Sequence, residues 1–358
     1  MRLSVFRIIA PLFLLCTLLT GFSWGGANVF LYHRFDEPRY SSTNIDVAVF
    51  AQQLAYLQEN NYRVLSLKEI VRRLRAGETL PEKCAALSVD DSYLSFKEKA
   101  MPLLRKYQYP VTLFVNSDSV GSRGYLGWQE LHELVLEGVD IGNHTFSHDH
   151  LVDLREGETR SDWMERVWQD IERAQLQFEK HLKVSPTLLA YPYGEYNLEL
   201  MQLAEDMGFD AAFCQQSGVI HAKSELMNLP RFPMGGPYAT FKGFEEKLKM
   251  AALVVTEENP ADPILNDNNP PELEVRIDTT DVDIRRMNCF VQGKNSCQAV
   301  AVDGEPGLFL VRAEKPLTGR RNKYTLTAPR IKGSGWRWYS HMWINSPAAI
   351  VVEAEPED

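Results

Sequence analysis

The chain has 358 residues, 44% of them hydrophobic, with 22 glycines and 19 prolines, a composition that excludes extended disorder and collagen-like repeats. Its length predicts two domains, although a barrel of about 250 residues counts as one. With 38 Lys and Arg against 48 Asp and Glu the formal charge is −10, and no basic run is present to track phosphates, so nucleic acid is not an expected partner.

At the start of the chain stand Arg2 and Arg7, an apolar run of 12 positions from Ile8 to Leu19, and the small residues Gly25, Gly26 and Ala27. This pattern predicts a secretory leader over 1–27, cleaved after Ala27, and an exported protein, periplasmic or secreted. The apolar run is shorter than the ~20 residues of a membrane-spanning helix, so no stable span is expected once the leader is removed.

From Asn28 to Thr256 short apolar runs alternate with amphipathic ones. Strands are predicted at Val29–Tyr32, Arg63–Leu65, Ala85–Val89, Val111–Val115, Val139–Ile141, Leu188–Tyr191 and Ala211–Cys214. Helices are predicted between them, at Phe96–Tyr107, Trp128–Leu136, Ser161–Leu182 and Leu198–Met207 among others. That alternation implies parallel βα units, and their number implies an α/β fold with a distorted (β/α) barrel of seven or eight parallel strands over 28–256. The stretch 257–271 is rich in Asn and Pro with almost nothing to bury, and reads as a linker. Beyond it the apolar residues have period two, at Leu273, Val275 and Ile277 and again at Leu308–Val311, which predicts a small C-terminal β-sandwich over 272–358. Cys289 and Cys297 flank a turn-like Gln292–Asn295 and are expected to pair in an oxidising compartment. Cys84 and Cys214 lie in apolar runs and are expected to be buried free thiols. In Trp336–Trp343 one face must fill the sandwich core, and the other is left to stack on sugar rings or to pack on the barrel. The sandwich is also a candidate surface for other envelope proteins, and the barrel alone is expected to act on short oligosaccharides.

Polar clusters stand after three of the predicted barrel strands: Asp90-Asp91, His144-Thr-Phe-Ser-His148 and Tyr191-Pro192-Tyr193-Gly194. In a parallel barrel the strand C-termini share one rim, where such folds place their active sites. Two histidines at i and i+4 with a carboxylate supply three ligands to one metal and leave room for water. An isolated His-x-x-x-His arises by chance; its convergence with Asp90-Asp91 on one rim is what points to a site.

These residues resemble the polysaccharide deacetylases with a NodB-homology domain, carbohydrate esterase family 4. Ser88-Val89-Asp90-Asp91-Ser92 is similar to that family's Thr-Phe-Asp-Asp-Gly, and Gly142-Asn-His-Thr-Phe-Ser-His148 to its Gly-Asn-His-Ser/Thr-x-x-His. Tyr32-His33, Ala190-Tyr-Pro-Tyr-Gly194 and Leu229-Pro-Arg231 resemble family landmarks more loosely. The resemblance implies that Asp91, His144 and His148 bind a divalent metal, usually zinc, and that Asp90 is the base. It further implies that the Tyr193 backbone N–H holds the oxyanion, with Tyr191, Pro192 and His33 lining the substrate. The implied reaction is removal of acetyl groups, chiefly N-acetyl from N-acetylglucosamine units, from an exported or cell-envelope polysaccharide.

Two positions depart from the pattern. Ala190 stands where most members carry an arginine that orients the base, and Arg231 where they carry a histidine acid; similar departures look like those of the branch acting on poly-N-acetylglucosamine. Arginine holds its proton across the working pH range, so Arg231 is expected either to reach Asp90 and keep it ionised or to pair with some surface carboxylate. His150 competes with His148 as a ligand at a less suitable spacing, and His221 is a candidate acid. Two other functions fit the sequence: a non-catalytic carbohydrate-binding protein with a structural metal, and a glycoside hydrolase, whose carboxylates must face each other across the substrate.

Overall fold

In the computed structural model, residues 25–265, 268–291, 293 and 295–346 are described; most of the expected leader, 1–24, and the end of the expected sandwich, 347–358, lie outside them. The alternating segments form, in chain order, β1 (Ala27–Tyr32), β2 (Arg34–Phe35), β3 (Asn44–Ile45), α1 (Val47–Glu59), β4 (Arg63–Val64), α2 (Leu67–Arg75), β5 (Cys84–Asp90), α3 (Met101–Tyr107), β6 (Thr112–Val115), α4 (Trp128–Leu136), β7 (Asp140–Asn143), α5 (Arg160–Leu182), β8 (Leu188–Ala190), α6 (Leu198–Asp206), β9 (Ala211–Phe213), β10 (Phe232–Pro233) and α7 (Phe241–Leu248).

The main sheet runs β10-β1-β5-β6-β7-β8-β9 with parallel neighbours, and β4 pairs with the start of β5. Leu229 bridges Phe213 at one edge while Phe232 pairs with Phe30 at the other, so residues 229–233 run between the two edges of the curled sheet. β1 and β5 are buried at every position, as strands covered on both faces must be. α5 buries Trp163, Val167, Ile171, Ala174, Phe178 and Leu182, a single stripe at helical spacing. It begins in a capping box in which Thr159 accepts from the Asp162 N–H and Asp162 from the Thr159 N–H.

Ala27, expected as the last residue before cleavage, opens β1, donating to Ile220 O at 2.9 Å and accepting from Ile220 N–H at 3.0 Å. Cleavage after Ala27 would strip both bonds from the barrel sheet.

The sandwich consists of β11 (Met250–Ala252), β12 (Val255–Asn259), β13 (Glu272–Ile277), β14 (Asn288–Val291), β15 (Cys297–Ala301), β16 (Leu308–Ala313), β17 (Arg321–Pro329) and β18 (Trp336–Ile344). Its sheets have the orders β11-β18-β17-β14 and β12-β13-β16-β15. Two of these strands precede position 272: β11 lies within the stretch expected to be barrel, and β12 enters the expected linker. β12 escapes a period-two reading because it is an edge strand whose Thr256, Glu257 and Asn259 are exposed. Cys289 and Cys297 form a disulfide that joins β14 to β15, and Cys84 and Cys214 are free and buried. In β18, Tyr339 and Trp343 turn toward the sandwich core, while Met342 and Ile344 pack among barrel residues of α5 and α6. Trp338 meets Phe232 edge-on at 5.7 Å. The second face of this strand is therefore a seam with the barrel.

Candidate metal centre and catalytic rim

The first carboxylate pair stands where β5 ends. Asp90 is its last residue, and Asp91 and Ser92 follow with φ of 75° and 49°, left-handed backbone that turns the chain sharply and aims adjacent carboxylates apart. Such conformations persist only where surrounding contacts hold them, and they gather at functional sites. The loop after β7 is fixed likewise: Asn143 Oδ1 accepts the Thr145 N–H at 2.7 Å, and Thr145 Oγ1 accepts the His148 N–H at 3.0 Å.

Asp91 Oδ1 lies 3.5 Å from His144 Nε2 and 3.2 Å from His148 Nε2. His144 Nδ1 is 2.7 Å from the Ala190 carbonyl oxygen. A carbonyl only accepts, so Nδ1 carries a proton and Nε2 is the nitrogen turned toward the aspartate, the one a metal would take. The three ligand atoms lie within 4.8 Å of one another, and Asp91 Oδ1 is a buried acceptor without a hydrogen-bond partner. One carboxylate oxygen and two imidazole nitrogens converge on one point, and this donor set fits a divalent ion of the zinc type.

Behind the metal group, Arg231 grips Asp90 through Nη1 at 2.7 Å and Nη2 at 2.9 Å, and both side chains are fully buried. Arg231 also donates to Ser88 Oγ at 3.3 Å and to Cys214 O at 3.2 Å. Burial pushes the Asp90 carboxyl up, but the charges of Arg231 and His144 outweigh it and hold the group below its ordinary value. Asp90 Oδ2 is 3.8 Å from His144 Nε2, on the inner wall of the same pocket. His33 follows β1 at this rim, half-buried, and feels the charges of Asp91, Asp90 and Arg231; burial lowers its pKa.

Tyr193 sits at φ 58° in the turn after β8, its ring 4.6 Å from that of His148 and stacked at 3.9 Å on His150. Two residues expected to line the substrate do not. Tyr191 is fully buried in the barrel core, where its hydroxyl donates to Met227 O at 2.9 Å, and Pro192 is buried beneath the turn. His150 Nδ1 is committed to Glu195 Oε2 at 2.8 Å rather than to the metal group. His221 lies beyond Ile220, which pairs with the first residue of β1, so it stands at the opposite end of that strand from His33. Sequence reasoning missed Arg320, Arg321 and Lys323, which reach the rim from the sandwich, and Arg34, whose guanidinium lies 3.3 Å over the Tyr93 ring. Their polar turns carry no periodicity that signals a site.

Residues 77–212 match the family model described as polysaccharide deacetylase. The chain is 26% identical over 223 residues to an Escherichia coli K12 protein named poly-beta-1,6-N-acetyl-D-glucosamine N-deacetylase, a match spanning 52% of this chain and 33% of that protein. A Staphylococcus aureus protein of the same name is 22% identical over 210 residues, 57% of this chain and 72% of the relative. Among solved structures, IcaB from Ammonifex degensii superposes with a TM-score of 0.55 at 24% identity, covering 63% of this chain and 97% of that one, a likeness of fold. With the rim motifs in place on this barrel, the chain is similar over residues 77–212 to the polysaccharide deacetylases, a family of hydrolases. Among the described residues no helix is long and apolar enough to cross a membrane.

Proposed function

We propose that this protein is a metal-dependent hydrolase that removes N-acetyl groups from N-acetylglucosamine units of an exported or cell-envelope polysaccharide. The observation that carries this reading is Asp91 Oδ1, a buried acceptor without a donor, facing His144 and His148 Nε2 beside the fork-held Asp90. Asp91, His144 and His148 would hold the ion, zinc being the best match to the donor set. When bound, such an ion polarises an acyl oxygen and lowers the pKa of water.

Asp90, kept ionised by Arg231, accepts the proton of the attacking water as general base. The Tyr193 N–H is assigned to the oxyanion that develops on the acetyl carbonyl. Arg231 cannot release a proton, and both its terminal nitrogens donate to Asp90. The leaving amine must therefore take its proton from another group or from water. The leader-like residues at the start and the Cys289–Cys297 disulfide support export to an oxidising compartment.

The placement of the carboxylates tells against a glycoside hydrolase, because Asp90 and Asp91 are adjacent residues at one strand end and do not face each other across a cleft. The test is acetate release from β-1,6-linked N-acetylglucosamine oligomers and from O-acetylated xylan, with bound metal measured before and after chelation. Activity on the amide substrate, lost with the metal and restored by it, is expected. Oligomer binding without acetate release, unchanged by chelation, would identify a carbohydrate-binding module instead.

A further inference from the structure

The C-terminal sandwich reaches the catalytic rim through three basic residues just before and at the start of β17. Arg320 donates from Nε and Nη2 to both carboxylate oxygens of Glu195 at 2.7–3.0 Å, and from Nη2 to Asp153 Oδ1 at 2.9 Å. Arg321 Nη1 donates to the backbone carbonyl of Tyr193, and its guanidinium lies 5.7 Å from the centre of the Tyr193 ring. Lys323 Nζ donates to Gln215 O at 2.6 Å. Gln215 packs against the next residue of the same turn, since a Cβ on Gly194 would come within 2.2 Å of the Gln215 nitrogen.

These contacts fall on a turn that needs support. Tyr193 and Gly194 both have positive φ, at 58° and 70°. For tyrosine that region is disfavoured by roughly 1–3 kcal/mol unless the surroundings impose it. Pro192 fixes the chain on the N-terminal side of Tyr193, Arg321 holds the carbonyl on its other side, and the fully buried Glu195, clamped by Arg320 and His150, anchors the exit. We infer that the sandwich is part of the catalytic apparatus: Arg321, backed by the Arg320–Glu195 pair, is a positioning residue that holds the Tyr193 turn in its oxyanion-binding conformation. This rests on the deacetylase reading above, and it assigns the C-terminal unit a role in turnover on substrates of any length.

The experiment uses the full chain carrying Arg321→Ala, Arg321→Lys and Arg320→Gln. Arg321→Ala is expected to lower kcat on a short N-acetylglucosamine oligomer roughly tenfold or more, with KM and bound metal unchanged. Its affinity for a tetrahedral phosphonamidate analogue should fall by the same factor as kcat/KM. Lysine at 321 should restore part of the rate, because one donor can still reach the carbonyl, and Arg320→Gln should resemble Arg321→Ala. Hydrogen exchange in the peptide containing 191–197 reads the contact without turnover and should quicken in both Arg321→Ala and Arg320→Gln. Unchanged exchange, or a rate loss without loss of analogue affinity, overturns the inference. A wild-type protein that releases no acetate would overturn the deacetylase reading, while exchange at 191–197 would still decide whether the sandwich holds the turn.

Discussion

Arg231 and Asp90 form a two-pronged ion pair with no exposed surface on either side chain, in the wall of the metal pocket. Ala190 offers no cation at the end of β8, and the one that grips Asp90 comes from Arg231, in the segment between β9 and β10. Removing one partner of a buried pair leaves an uncompensated charge and costs about 3–5 kcal/mol. Arg231→Ala is therefore expected to lower the unfolding free energy by that amount in denaturant titrations, and Asp90→Asn/Arg231→Met to regain most of it without regaining activity. In whatever fraction of Arg231→Ala folds, Asp90 keeps its burial and loses its cation. Its pKa then rises, and the acid limb of kcat/KM moves to higher pH. Arg231→Lys should fall between, since a point charge cannot reproduce the fork. A stable Arg231→Ala protein with an unmoved profile would remove the residue from the site.

The metal group makes a sharper division between the neighbouring aspartates. His144→Ala and Asp91→Ala each leave two ligands and should lose both bound metal and acetate release. Asp90→Asn keeps the shape and all three ligands, so elemental analysis should find metal near the wild-type level while turnover disappears. A metal-free Asp90→Asn would place Asp90 among the ligands.

Glu158 provides a pH-dependent contribution away from the site. It accepts from Arg166 Nε at 2.6 Å and Nη2 at 2.9 Å, and these bonds bring its carboxyl down to about 2. A carboxyl lowered on folding contributes stability at pH above its ordinary value of 4.5, and the contribution is lost as pH falls toward 2. Glu158→Gln should therefore melt lower than wild type at pH 7, by roughly 1 kcal/mol. The two melting curves should converge between pH 4.5 and 2, and a gap that stays constant would show that the ion pair contributes nothing there.

The two free cysteines should be inert while the protein is folded. Burial pushes the Cys84 thiol up to about 12 and Cys214 up to about 11, and the thiolate is the reactive form. Alkylation at pH 8 followed by peptide mapping should label neither position natively and both after unfolding. Native labelling at Cys214 would indicate that the strand carrying the Arg231 contact opens locally.

Sequence patterning reveals the elements whose signal is local. α4 lies at Trp128–Leu136 as its helical spacing predicts, and Asp91, His144 and His148 converge because the ends of β5 and β7 share one rim. What escaped the sequence depends on long-range geometry. The Tyr193 turn looks like a continuous aromatic motif, yet its backbone buries Tyr191 and presents Tyr193, a difference set by left-handed dihedrals. β11 is three residues long and pairs with β18 more than eighty positions away, which no local period can announce. The contacts of Arg320 and Arg321 to the rim lie 125 and 128 residues away in sequence.

The seam between barrel and sandwich decides whether the barrel can work alone, as the composition break near residue 257 suggests. Trp338 packs on Phe232 and its Nε1 donates to Ser217 O at 3.0 Å. Met342 and Ile344 lie in the cluster formed by Trp163, Leu200 and Leu203, and β11, cut from its partner, would lose its pairing with β18. A fragment ending at 256 would expose this apolar surface and release Arg231's neighbour Phe232 from its cover. The full chain is therefore expected to unfold in one calorimetric transition, with the 25–256 fragment aggregating or failing to melt cooperatively. Trp338→Ala should destabilise both units together by about 2–3 kcal/mol, less than the ~3–5 of a core tryptophan because the indole is only half-buried. Two separated transitions, with Trp338→Ala moving only one, would mean that the seam is a contact between independently stable domains.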